Sequence, residues 1–302
     1  MRSNAPVEHC IAEIKGAHIL KILVTGANGY IGRHLVTALI EHGHRVLACD
    51  VAFDGIDLRA ERTLTDIFSG RRDIYDELGR PDALIHLAWR NGFDHYNISH
   101  VAELPSHYEF LVNMMDGGLP QLLVMGTMHE VGYHVGAIDE TVPTNPVTPY
   151  GIAKNALREL VTVYAGKKGV ILQWLRGYYI LGDDAKNHSI FSKMTEAEER
   201  GQELFPFTTG KNKFDFIKVE DLARQIAAVA SQREVTGIIN CCSGVAIPLA
   251  EEAERFIREN NMKIRLDYGK FPDRADASPE VWGDPAKINK IMNNDRPCGC
   301  LK

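Results

Sequence analysis

Lys21-Ile-Leu-Val-Thr-Gly26-Ala-Asn-Gly29-Tyr-Ile-Gly32 runs from an apolar strand through a glycine-spaced turn into an amphipathic stretch. Gly26 lets the chain turn sharply where the strand ends. Gly29 leaves backbone N–H groups open to a pyrophosphate, and Gly32 lets the next helix lie close to the sheet. That helix, expected over Tyr30 to His42, aims its N-terminal partial positive charge at the same point. The stretch predicts a dinucleotide cradle formed by Gly26, Asn28, Gly29, Tyr30, Ile31 and Gly32. An ordinary strand–helix turn is the alternative.

Outward from this turn, apolar runs at 19–25, 45–49, 83–88, 121–126, 170–176 and 237–241 read as strands. Helical periodicity appears at 30–42, 101–115, 150–165 and 219–231. The alternation predicts an α/β fold, a doubly wound parallel Rossmann sheet. After Arg176 the rhythm breaks. Residues 1–176 are therefore expected to form the dinucleotide-binding domain, with 212–247 returning to it. Residues 177–302 are expected to build a smaller C-terminal α/β substrate lobe over the carboxyl edge of the sheet, where ligands bind in such folds.

With 45% hydrophobic residues among 302, the chain has ample material for a core. A formal charge of −6 argues against nucleic acid as the main partner, because that requires a basic face. No uninterrupted apolar run is long enough to span a bilayer, so no membrane partner is expected. Residues 1–19 carry Glu8, His9, Glu13 and Lys15 where a signal peptide would be apolar, and read as an extra arm. Cys10, Cys49, Cys241, Cys242, Cys298 and Cys300 form no paired C-x-x-C framework. A reduced, cytoplasmic protein follows. No metal site is expected, since nothing completes a ligand set with Cys298 and Cys300.

The second strand ends at Asp50, where a carboxylate can accept hydrogen bonds from the adenine ribose hydroxyls. It would also repel a 2′-phosphate: two unit charges about 4 Å apart at an effective dielectric of 20 cost roughly 4 kcal/mol. NAD(H) is therefore favoured, and NADP(H) stays open through Arg33. Asp57 and Leu58 are expected at the end of the next strand, beside the adenine. A strand-end turn is the alternative role for Asp50.

Pro149-Tyr150-Gly-Ile-Ala-Lys154 opens a helix, and Tyr150 and Lys154, four apart, share a face. A free phenol has a pKa near 10 and is a poor base at neutral pH. A neighbouring ammonium and the positive nicotinamide ring favour the phenolate. A drop of about 3 units needs roughly 4 kcal/mol. Lys154 can also hold the nicotinamide ribose.

At this point the chain resembles the extended short-chain dehydrogenase/reductases of the nucleotide-sugar epimerase/dehydratase superfamily. The resemblance covers nearly all of residues 20–290. It rests on the glycine turn, His86-Leu87-Ala88-Trp89, Gly126-Thr127 ahead of Val131-Gly132, Glu140 with Pro143 and Pro146, and Tyr150 to Lys154. Leu175-Arg176, Gly182 and Phe214 to Asp221 complete it. The resemblance implies Leu87 and Ala88 along the cofactor, and Thr127, five residues before Gly132, on the reacting sugar oxygen. It implies a catalytic set of Thr127, Tyr150 and Lys154. It also implies a nucleotide-diphosphate sugar against Thr127, Met128, His129, Tyr150, Arg176 and Tyr178, with Phe207 under the base and Arg274 on the diphosphate. Lys213 stands near a usual arginine position. Simple lobe packing is the other reading for most of these.

Members that dehydrate the sugar carry Asp and Glu after the threonine, where this chain has Met128 and His129, so dehydration is not expected. His129 or Glu130 could add an acid or base, or form a solvated turn. A structural asparagine cannot be placed in His100-Val-Ala-Glu-Leu-Pro-Ser106. The expected reaction is NAD(P)H-dependent reduction of the C4 ketone of a dTDP-linked 4-keto-6-deoxy sugar, in bacterial surface-polysaccharide synthesis. A C4 epimerase is the second reading, and a non-catalytic dinucleotide sensor the third. A homodimer would pair helices 101–115 and 150–165 through Leu157, Leu160, Val161 and Tyr164, unless that stripe faces the sheet.

Overall fold

A computed structural model describes residues 19–182, 189–273 and 277–295. Strand β1 (Lys21–Thr25) leads into α1 (Tyr30–Glu41), β2 (Arg45–Cys49) and β3 (Glu61–Thr63). Next come α2 (Ile74–Glu77), β4 (Ala83–His86), α3 (Ser99–Ala102), α4 (Leu104–Asp116) and β5 (Gln121–Thr127). A short β6 (Gly136–Ile138) precedes α5 (Pro149–Lys168), β7 (Ile171–Gly177) and β8 (Tyr179–Leu181). Beyond them lie α6 (Ile190–Glu199), β9 (Leu204–Pro206), β10 (Lys213–Lys218), α7 (Val219–Ala230) and β11 (Gly237–Cys241). The chain then forms β12 (Ala246–Pro248), α8 (Leu249–Glu259), β13 (Arg265–Asp267), β14 (Glu280–Gly283) and α9 (Ala286–Asn294).

Seven strands form the expected parallel sheet in the order β11-β7-β5-β4-β1-β2-β3. Helices cover both faces, which is why its strands are apolar throughout rather than alternating. In β1, Ile22 and Val24 enter the layer under α1 and α7, and Leu23 enters the layer under α4 and α5. The order reverses between β1 and β4, the switch point where a crevice opens at the carboxyl ends of the strands. Strands β6, β8, β10, β12 and β14 make a second sheet, and β9 pairs with β13.

Helix α5 shows how local chemistry sets an element that carries the site. The Thr148 hydroxyl accepts from the Gly151 N–H at its start, Pro149 occupies the first turn, and Gly169 closes it at φ +68°. Lys167 and Lys168 complement its negative end. Leu157 and Val161 from the expected dimer seam are fully buried against the sheet, while Leu160 stays exposed beside Val163. The stripe is thus split between core and surface.

One cofactor expectation needs correcting. Asp57 and Leu58 do not end the third strand, because that strand begins at Glu61. They lie in the loop before it, with Leu58 exposed and Asp57 paired to Arg59 at 2.6 Å, which holds its carboxyl down to about 2. Beyond β3, after Leu64 and Thr65, come Asp66 and Ile67. They sit beside the end of β2, where the Cys49 thiol donates to Thr65 O.

Candidate active site

The cradle is made of main chain. Gly26 adopts φ +69°, and a Cβ there would lie 2.7 Å from Ala88 N. A Cβ on Gly32 would collide with the carbonyls of Gly26 and Ala27, so α1 reaches this close to the turn only because that atom is absent. Gly29 caps α1 without any side chain, leaving its first N–H groups for an anion. Asp50 stands at the end of β2 and accepts from Asn28 N–H at 2.8 Å. Asn28 Oδ1 is buried with no hydrogen-bond partner. A glycine-lined concavity with an orphaned amide oxygen fits a dinucleotide, and Leu87 and Ala88 flank it after β4. Tyr30 stands at its rim beside Phe93, and Ile31 packs into the core below.

Behind the cradle a polar chain runs inward. The Thr25 hydroxyl bonds His86 Nδ1 at 2.8 Å, and His86 Nε2 meets His107 Nδ1 at 2.9 Å. Burial holds His86 well below the usual histidine value and His107 down to about 3, so both rings are neutral. Trp89 stacks on His107 with ring centroids 4.5 Å apart. Its indole N–H donates to His100 Nδ1 at 3.0 Å, and His100 Nε2–H donates to Asp94 O at 2.8 Å, which assigns the ring proton to Nε2.

Thr127, Tyr150 and Lys154 come together at the carboxyl end of β5. Thr127 ends the strand, and Tyr150 and Lys154 lie one turn apart at the start of α5. Their electrostatics differ from the expected ammonium–phenolate pair. Lys154 is buried, its ammonium donating to Met125 O at 2.9 Å and lying 3.9 Å above the Trp89 ring. Desolvation brings it down to about 7. Burial pushes the Tyr150 phenol above the ordinary tyrosine value, Thr127 opposes the rise, and Glu130 adds to it. In this arrangement the phenol is an acid in waiting rather than a base, because Lys154 directs its charge at a carbonyl and a π face.

Histidine rings surround the phenol. His95 stacks on Tyr150 with centroids 4.9 Å apart and its carbonyl accepts from Tyr150 N–H, while His100 lies at 5.1 Å and His129 at 6.2 Å. His129 is half-buried and Met128 buried.

Other expected sugar contacts are placed elsewhere. Arg176 is fully buried, with its guanidinium on Glu130 at 3.4 Å, so it has no surface to offer a sugar. Tyr178 is buried with its hydroxyl donating to Asn240 Oδ1, and Phe207 is buried edge-on to Tyr268. These three are packing residues in this structure. Lys213 pairs with Glu280 at 3.0 Å. Arg274 lies outside the described residues. The sequence reading missed Trp89 as the platform under Lys154, and Glu130 as a buried charge. The small residue before Thr127 was the available signal for the latter, since a Cβ on Gly126 would collide with Trp174 Nε1 and crowd Glu130 Oε1.

Comparison with known proteins adds the following. The family described as NAD dependent epimerase/dehydratase matches residues 22–242. A dTDP-6-deoxy-L-talose 4-dehydrogenase (NAD(+)) from Aggregatibacter actinomycetemcomitans is 43% identical over 273 residues, covering 87% of this chain and 99% of that protein. UDP-arabinose 4-epimerase 1 from Arabidopsis thaliana is 26% identical over 317 residues, 91% of this chain and 75% of its own. In fold, the chain is similar to DesIV, a dTDP-glucose 4,6-dehydratase from Streptomyces venezuelae. There the TM-score is 0.76 at 19% identity, with 93% of each chain covered.

Proposed function

The chain belongs to the NAD dependent epimerase/dehydratase family, and we propose that within it the protein moves hydride between a nicotinamide dinucleotide and C4 of a dTDP-linked 6-deoxyhexose. Reduction of the 4-keto sugar is the working direction. The observation that carries this reading is 43% identity to a dTDP-6-deoxy-L-talose 4-dehydrogenase across 99% of that protein. Thr127, Tyr150 and Lys154 support it by standing together at the edge of the sheet.

Gly26, Asn28, Gly29 and the first turn of α1 would hold the pyrophosphate, with Asp50 on the adenine ribose; Asp66 and Ile67 take the place first assigned to Asp57 and Leu58. A nicotinamide held there would provide the hydride chemistry. The chain's own part is proton work and orientation. In reduction, charge builds on the C4 oxygen as the hydride arrives. Tyr150 gives that oxygen its proton, and the Thr127 hydroxyl donates a hydrogen bond to it. A phenol kept protonated by burial suits donation. The phenolate left behind would regain its proton from solvent, Tyr150 being only partly buried, with Lys154 one turn along α5 adding positive charge nearby rather than a direct contact. Met128 and His129 carry no carboxylate where dehydration would need an acid and a base, which speaks against water loss.

NADH with a panel of nucleotide-linked 4-keto-6-deoxy sugars tests the reading. Stoichiometric loss of reduced-nicotinamide absorbance with the dTDP-linked sugar is expected. Conversion of a sugar nucleotide to its C4 stereoisomer without net cofactor consumption would replace the reading with an epimerase, as the match to a UDP-arabinose 4-epimerase over 91% of the chain allows.

A further inference from the structure

Below Thr127 lies a charged cluster that the proton chemistry does not use. Glu130 is fully buried, and its Oε1 accepts from Thr127 N–H at 2.7 Å and from the Trp174 indole N–H at 2.9 Å. Its Oε2 faces Arg176 Nη2 at 3.4 Å and Arg158 Nε at 3.8 Å. In return, the Thr127 hydroxyl accepts from His129 N–H at 3.3 Å, so the 3₁₀ turn Met128–Glu130 is held at its N-terminus by a reciprocal cap. That acceptance occupies a Thr127 lone pair, and the same hydroxyl hydrogen-bonds the Tyr150 phenol. The turn is wedged in place: a Cβ on Gly151, next to Tyr150, would collide with His129 O.

We propose that Glu130 is a positioning residue for the reaction: its water-free carboxylate anchors the Thr127 backbone against the start of α5 and keeps a fixed negative charge behind the Thr127–Lys154 edge. The inference rests on the catalytic roles given above to Thr127, Tyr150 and Lys154. The groups facing Glu130 are Arg176 from β7, Arg158 from α5 and, beyond them, Tyr178. Those facing Tyr150 are His95, His100 and His129, with Lys154 one turn along. The carboxylate opposes the desolvation that brings Lys154 down to about 7, and it disfavours the Tyr150 phenolate. Removing its charge moves both groups the same way, toward titration at lower pH.

The test reads Lys154 directly. Protein labelled at the lysine ε-carbons is titrated by NMR without cofactor or sugar, and the Lys154 signal is assigned by its loss in Lys154→Met. Glu130→Gln keeps the shape and an acceptor for Thr127 N–H. It should lower the Lys154 midpoint by on the order of one pH unit, and shift the pH profile of kcat/KM in the same direction. Trp174→Phe removes one donor from the same carboxylate without removing charge, and should leave the midpoint near about 7. A Glu130→Gln midpoint equal to wild type, or one that Trp174→Phe lowers as much, overturns the proposal. If Glu130→Gln does not fold, Glu130→Asp decides. The retained charge should keep the Lys154 midpoint close to wild type, and a drop on the order of one pH unit overturns the inference. Because the NMR titration uses no sugar, failure of the substrate assignment leaves the Lys154 midpoint intact, and the reverse also holds.

Discussion

The glycine turn proposed to hold the cofactor and the Thr127–Lys154 edge proposed to do the chemistry both lie at carboxyl ends of the sheet strands, yet are built from opposite materials. At 25–32 the ligand-facing surface is main chain, shaped by side chains that are missing. At 125–154 it is side chain, held by the buried Glu130 carboxylate, the buried Arg176 and partly exposed Arg158 guanidiniums, and the buried Trp174 indole. The first works because backbone packs where a Cβ on Gly26, Gly29 or Gly32 would stand. The second works because buried polar groups satisfy one another, and leaving one partner of such a set unpaired is costly. The cradle should therefore fail by crowding, and the catalytic edge by loss of charge or of a hydroxyl.

The largest effect falls on the side-chain half. Tyr150→Phe removes the proton donor and keeps the ring among its histidines. Turnover should drop by about 10²–10⁴-fold, with cofactor binding close to wild type by fluorescence titration. Retained turnover would remove the acid from the mechanism. Next comes crowding in the other half. Gly32→Val drives side-chain atoms into the Gly26 and Ala27 carbonyls. It should cost about 1–3 kcal/mol in urea unfolding, with a loss of cofactor affinity larger than that of kcat in surviving enzyme. The reverse split would contradict a main-chain cradle.

A smaller change sharpens the contrast, since the cradle also depends on the Asp50 side chain. Asp50→Asn removes the charge and keeps an acceptor for Asn28 N–H. Preference for NADH over NADPH should fall by roughly tenfold, less than the ~4 kcal/mol of an enclosed charge pair, because Asp50 is partly exposed. A last effect concerns pH. Unfolded His107 takes its proton near 6.5, whereas the folded ring stays neutral to about 3. Between those values the unfolded chain binds the extra proton, so stability declines as pH falls through the window and is unaffected by this group above it. Urea midpoints measured across the window should decline less steeply in His107→Phe.

The two halves also differ in how far they were legible in the sequence. The glycine turn is local, so strand, turn and helix were readable within a dozen residues, and the parallel sheet followed from the alternation around them. Tyr150 and Lys154 were readable because helical spacing puts them on one face. What surrounds them was not. Glu130 meets Arg176 and Trp174 only because β5 and β7 are neighbours, with Gly126 in register with Arg176. For the same reason Arg176 reads as an exposed sugar contact in the sequence and is a buried counter-ion in the structure. Asp57 and Leu58 were misplaced by a strand whose three residues, Glu61–Thr63, have little apolar signal. Trp89 was quoted for its motif, yet its place under the Lys154 ammonium depends on the distance between β4 and α5.

The most direct test of hydride transfer at C4 follows deuterium from NADH labelled at the nicotinamide C4 into the sugar product. The account predicts one deuterium at C4 of a dTDP-6-deoxyhexose for each NADH consumed, and none with Tyr150→Phe. Deuterium at another carbon, or a stereoisomer formed without label, would contradict it.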